Sequence, residues 1–156
     1  MNNKAFYANN IYNKYNHIIG GSTAVKKHVS NFRESNDIDV MMSKDDIISL
    51  TNNPIGFELV ISKYGKEYYI ASLVFPDKSK IDLIDPMRSL NLYSFKEIDG
   101  VKFLSLEDIC GFKLKLIENS ELNETIKNKH VKDLLFFIRY GHIQLKEYNI
   151  AEELPF

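Results

Sequence analysis

Apolar residues recur at helical spacing near the N-terminus, alternate at strand spacing through the middle, and return to helical spacing after Ser105. Tyr7, Ile11, Tyr12 and Tyr15 stand at intervals near three and four, which predicts an amphipathic helix within residues 1–16. His17-Ile18-Ile19 reads as the end of a buried strand, and Gly20-Gly21 then turns the chain. Beyond Ser22, residues Ala24, Val25, His28, Val29 and Phe32 fall on one side of a helix, with Lys26 and Lys27 on the other. Residues 37–41 alternate as a strand, with Ile38 and Val40 on the core face and Asp37 and Asp39 together on the opposite one. Ser43-Lys44-Asp45-Asp46 supplies an N-cap and an acidic first turn for a short helix to Leu50, ended by Asn52-Asn53-Pro54. Residues 57–62 and 68–75 are β-prone runs around Lys63-Tyr64-Gly65-Lys66, a hairpin pattern. A Pro76-Asp77-Lys78-Ser79 turn leads into a short strand over 80–84, and Asp99-Gly100 turns the chain between Phe95 and the run 101–104.

The later helical stretch opens on Ser105-Leu106-Glu107-Asp108, close to a capping box, and should reach about Asn119. A polar connection over 120–128, a second helix over 129–140 stopped by Gly141, and a short helix over 144–153 complete the reading. The fold class is therefore α/β (α+β), a mixed sheet flanked by helices with a small C-terminal helical part. One domain over 1–156 is expected, with a mixed α/β part to about residue 104 and helices from about 105.

Composition narrows the function classes. A formal net charge of −1 gives no global basic field, so contact with nucleic acid must rest on a local patch. A single cysteine excludes an internal disulfide and suits a reducing compartment; Cys110 lies on the apolar side of its helix, where packing is the expected role. The polar N-terminus lacks an apolar run long enough for a signal peptide or a membrane span, so a cytoplasmic location without membrane attachment is expected. His17, His28, His130 and His142 show no metal-ligand spacing, and no Ser/His/Asp hydrolase context accompanies them.

The candidate chemistry gathers between His17 and Met42. The glycine pair lets the backbone bend and leaves no side chain between the first amides of the helix and an incoming anion. Ser22 is placed as N-cap, and a helix N-terminus behind two glycines is a seat for phosphate. Asp37 and Asp39 repel each other on one face of a strand and need a compensating cation. Hard divalent ions such as Mg²⁺ are held by one or two carboxylates together with substrate phosphates.

Gly20-Gly21-Ser22, a helix, and then Asp37-Ile38-Asp39 resembles the signature of the DNA polymerase β-like nucleotidyltransferase superfamily. Arg33-Glu34-Ser35-Asn36-Asp37-Ile38-Asp39 looks like the R-x-S-x-D-x-D form of the branch holding AbiEii-type toxins of type IV toxin–antitoxin systems. The resemblance implies an enzyme that transfers a nucleoside monophosphate from an NTP to an acceptor hydroxyl with two Mg²⁺ ions, or Mn²⁺ in their place. It implies Asp37 and Asp39 as ligands of both ions, and phosphate binding by Gly20, Gly21, Ser22, Arg33 and Ser35. The acceptor it implies is RNA, such as a tRNA 3′ end, and the partner a separate antitoxin protein. A small-molecule or protein hydroxyl as acceptor, or a nucleotide-binding module without turnover, are the alternatives.

The superfamily's third carboxylate ligates the catalytic metal from a neighbouring strand and can receive the proton of the attacking hydroxyl. Asp82, flanked by Ile81 and Leu83, matches it best; Asp85 competes, but alternation puts it on the other face and Pro86 makes it a turn residue. Leu106, Ile109, Cys110, Leu114 and Ile117 form an apolar stripe with Lys113 in its middle, whereas Lys115 points away. An ammonium there either snorkels outward or meets a fixed negative partner, and the acidic cleft is the partner expected. The resemblance assigns Lys113 to the nucleotide phosphates as a further catalytic residue. Lys132-Asp133-Leu134 resembles the branch's K-D-x-x-D motif, but the second acid is replaced by Phe136 or Phe137. An orienting role and a solvated turn of helix both remain open for Lys132 and Asp133.

Overall fold

The computed structural model describes residues 3–33, 35–64, 68–118 and 122–143. The hairpin tip with Gly65, Glu34 of the R-x-S-x-D-x-D stretch, and the helix expected over 144–153 lie outside the described residues. The chain divides into two compact units, Met1–Leu106 and Glu107–Phe156.

The first unit is built on a seven-stranded mixed sheet in the order β3-β4-β5-β2-β1-β7-β6. Its strands are β1 (Ile18–Ile19), β2 (Ile38–Met41), β3 (Glu58–Tyr64), β4 (Tyr68–Val74), β5 (Lys80–Asp85), β6 (Phe95–Ile98) and β7 (Val101–Leu104). The pairs β2–β5 and β1–β7 are parallel, and the others are antiparallel. Helix α1 (Asn3–Lys14) lays Tyr7 and Ile11 on a core shared with Val40, Leu73, Ile81 and Leu83. Helix α3 (Lys44–Thr51) is capped by Ser43, whose hydroxyl accepts from the Asp46 amide at 3.2 Å. Strand alternation accounts for the sheet: Ile81 and Leu83 are wholly buried while Asp82 between them is not.

Two local expectations change. Helix α2 (Gly21–His28) is capped by Gly20, not Ser22, and the N-cap residue itself supplies no side-chain cap. The Gly20 amide donates to the Asp39 carbonyl at 2.8 Å and its carbonyl accepts from Ala24 at 3.2 Å, so a tertiary bond fixes where the first turn closes. The helix ends at His28; Val29 is its C-cap and Phe32 is buried from the following loop. His28 Nε2 donates to the Leu104 carbonyl at 2.9 Å, which ties α2 to β7.

In the second unit, α4 (Leu106–Glu118) is followed by α5 (Glu124–Arg139), which starts five residues before the expected 129. Asn123 explains the earlier start: its side chain accepts from the Thr125 amide at 2.7 Å, and the exposed first turn needs no apolar residues. Cys110 is wholly buried, and burial pushes its thiol up to about 12, outweighing the opposite pull of Lys113. No described helix is long and apolar enough to cross a membrane.

Candidate active site

The glycine turn and the acidic strand meet in the first unit. Gly21 has φ +57°, a conformation that favours glycine, and a methyl group there would fall on the Asp39 carboxylate. A Cβ on Gly20 would meet Leu104 Cδ2 at 3.9 Å and the Asp39 carbonyl oxygen at 4.0 Å, both ordinary contacts. Gly21 is thus the glycine the site requires, because Asp39 lies against its backbone. Gly21→Ala is expected to lower stability by about 1–3 kcal/mol through strain at a left-handed position and to displace Asp39. Gly20→Ala should be nearly silent. Thermal denaturation of the two variants checks the pair, and equal effects would contradict the close approach.

Strand pairing brings the acids onto one face. Asp39 on β2 stands opposite Asp82 on the parallel neighbour β5, and directly paired residues share a face. Asp37 lies two residues before Asp39, just ahead of β2, and its Oδ1 accepts from the Lys80 amide at 3.0 Å. The loop before it is pinned from both sides: Ser35 Oγ accepts from the Asp37 amide at 3.1 Å, and Lys4 Nζ donates to the Asn36 carbonyl. Arg33 is exposed, with its guanidinium 5.0 Å from the centre of the Phe32 ring. Ser22 is half-buried in the first turn of α2.

Asp82 is held from two directions. Ser72 sits opposite it on β4 and donates its hydroxyl to Asp82 Oδ1 at 2.5 Å; Lys80 Nζ lies 3.8 Å from Oδ2. Sequence reasoning missed both partners. Lys80 was legible as the residue two before Asp82 on the same strand face, but Ser72 needed the hairpin register. Asp85 does different work: Oδ2 accepts from the Lys44 amide at 2.8 Å and Oδ1 from the Met87 amide at 2.7 Å. It fastens the start of α3 and the turn after β5.

Three carboxylates on one face offer the hard oxygen donors that Mg²⁺ and Mn²⁺ take. The set suits such an ion in the chemistry of its donors and in sharing one face. Among the described residues no three His, Cys, Asp or Glu side chains converge as a ligand cluster. Asp37 is turned to the Lys80 amide, and both Asp82 oxygens are engaged along the sheet.

Lys113 is buried, as its place in the apolar stripe requires, and Lys115 is exposed. In its own unit, Lys113 Nζ donates to Asp133 Oδ2 at 3.0 Å and to His130 Nδ1 at 3.3 Å. Asp133 is 6% exposed, which replaces the solvated-turn reading with a buried ion pair.

The family model described as "Domain of unknown function (DUF7277)" matches residues 17–132. The chain belongs to that family. No curated protein matches the sequence. Among solved structures, JHP933 from Helicobacter pylori is similar at 18% identity and a TM-score of 0.53, over 92% of this chain and 67% of that one. An H. pylori protein described as a "putative nucleotidyltransferase" is similar at 19% identity and a TM-score of 0.55, over 92% of this chain and 69% of that one. The lincomycin-bound lincosamide antibiotic adenylyltransferase LnuA is more distant, at 16% identity and a TM-score of 0.49, over 86% and 96% of the two chains. The H. pylori likenesses show the fold, a mixed α/β sheet flanked by helices.

Proposed function

We propose that this member of the DUF7277 family is a divalent-metal-dependent nucleotidyltransferase that moves a nucleoside monophosphate from an NTP to an acceptor hydroxyl. The observation that carries the reading is the contact of the Gly21 backbone with the Asp39 carboxylate, beside Asp82 in register on the next strand. That arrangement sets a helix N-terminus with glycine at its N-cap against a face of carboxylates. Triphosphate and cation would be bound side by side there.

Gly20, Gly21 and the first amides of α2, with the Ser22 hydroxyl, would seat the phosphates. Ser35 would hold Asp37 in place through its amide, while Arg33 and Lys113 would offset triphosphate charge. Asp37, Asp39 and Asp82 would hold the metal, two Mg²⁺ or Mn²⁺ ions in the full reading. Bound there, the ions would stabilise the attacking and leaving oxygens of an in-line displacement. The acceptor oxygen bonds to the α-phosphorus, the bond from that phosphorus to the bridging oxygen breaks, and pyrophosphate leaves. Asp82 receives the acceptor proton on a carboxylate oxygen. The R-x-S-x-D-x-D stretch supports an RNA acceptor such as a tRNA 3′ end, and a toxin with a separate antitoxin.

The test pairs two neighbouring acids in a transfer assay with labelled NTP and total RNA. Asp82→Ala is expected to lower transfer roughly 10²–10³-fold, the scale of removing one preorganised electrostatic group. Asp85→Ala should keep transfer and lose about 1–2 kcal/mol of stability, since it removes hydrogen bonds to a charged acceptor. The reverse ranking would overturn the assignment.

A further inference from the structure

We propose that Lys80 is a placeholder cation for the acidic face, displaced when a divalent ion engages Asp82, so that metal and nucleotide bind in a mutually dependent way. The proposal rests on the metal-site reading above.

Lys80 and Asp82 are two apart on β5 and share a strand face with Asp39. Through its amide Lys80 holds Asp37 Oδ1 at 3.0 Å, and through its ammonium it lies 3.8 Å from Asp82 Oδ2. One residue therefore touches two of the three acids, with two different groups. Like charges facing each other on adjacent strands destabilise the sheet, and an ammonium beside them offsets part of that repulsion.

The two partners of Asp82 differ in strength. The Ser72 bond is short, at 2.5 Å, and charge-assisted, and it comes from a residue fixed in register on β4. The Lys80 contact is long, at 3.8 Å, from a side chain 41% exposed, a class of pair worth little and easily parted. Ser72 consequently fixes Oδ1 and the rotamer, and Oδ2 is the oxygen free to change partner. For Asp82 Oδ2 to engage an ion beside Asp39, the Lys80 contact has to part.

Its departure is where nucleotide enters. An ion arriving alone places two more positive charges next to the ammonium. An ion arriving with a triphosphate brings the negative charge that receives the displaced Lys80. Nucleotide thereby tightens metal binding, and by linkage metal tightens nucleotide binding by the same factor.

The test is Mn²⁺ titration followed by electron paramagnetic resonance, with and without an α,β-methylene NTP, on the wild-type chain and on Lys80→Met, Lys80→Arg and Asp39→Asn. Lys80→Met keeps the apolar stem and should bind Mn²⁺ alone about tenfold tighter, the effect of removing one charge at this range. The enhancement by nucleotide should shrink in the same variant, and Lys80→Arg should restore wild-type behaviour. Mn²⁺ binding that Asp39→Asn weakens but Lys80→Met leaves unchanged or weaker would overturn the placeholder role alone. Mn²⁺ binding insensitive to Asp39→Asn, or absent from the wild-type chain, would overturn the metal-site reading and this proposal together.

Discussion

Replacing Asp39 with asparagine is expected to cut nucleotidyl transfer roughly 10²–10³-fold and to leave the fold intact or slightly more stable. The side chain sits where three features of the sheet coincide. It lies against the Gly21 backbone, it stands opposite Asp82 across a parallel pair, and it shares its strand face with Asp37. Asparagine fills almost the same volume, so the close approach to Gly21 survives. Removing one of two facing negative charges relieves repulsion, so stability should not fall. Asp37→Asn should behave alike, and the double variant should be little worse than either single one, because groups that act as a unit are not additive. Transfer rates beside thermal denaturation curves check both halves. Near-normal turnover of either single variant at saturating Mg²⁺ would remove these residues from the site.

Lys113→Met is expected to destabilise the protein by about 3–5 kcal/mol, because it removes the cation that pairs with the buried Asp133 carboxylate. The two side chains are 9% and 8% exposed and pair at 3.0 Å, so little solvent screens the loss. Replacing both partners, in Lys113→Met with Asp133→Leu, should recover most of that stability, since an apolar pair of similar volume needs no compensation. Lys115→Met changes an exposed residue and should stay within about 0.5 kcal/mol of wild type. The same series separates packing from chemistry. If Lys113 serves the triphosphate as proposed, the double variant regains stability but transfers roughly 10²-fold more slowly than wild type. Recovery of both would make the lysine a structural ion only.

The sequence made the acidic strand readable because its signals are local. Glycine pair, helix period and Asp-x-Asp alternation all lie within residues 20–41, and the same alternation separates Asp82 from Asp85. What escaped depends on partners far along the chain. Ser22 is the better capping residue by type, yet Gly20 caps because its amide is claimed by the Asp39 carbonyl. Ser72 meets Asp82 only through the β4–β5 register, which no local pattern encodes. The burial of Lys113 follows from the helical wheel, but its pairing with Asp133 depends on α5, 20 residues away. Within its own unit Lys113 pairs with Asp133, and Lys80 sets an ammonium beside Asp82.

A nucleotidyltransferase is distinguished by which bond of the nucleotide breaks. Parallel reactions of the protein with Mg²⁺, total RNA and each NTP labelled at either the α- or the γ-phosphate report this directly. Nucleotidyl transfer places the α-label on an acceptor and releases the γ-label as pyrophosphate, and both signals vanish in Asp39→Asn. A γ-label on the acceptor, release of inorganic phosphate alone, or an α-label transferred equally by Asp39→Asn would contradict the account.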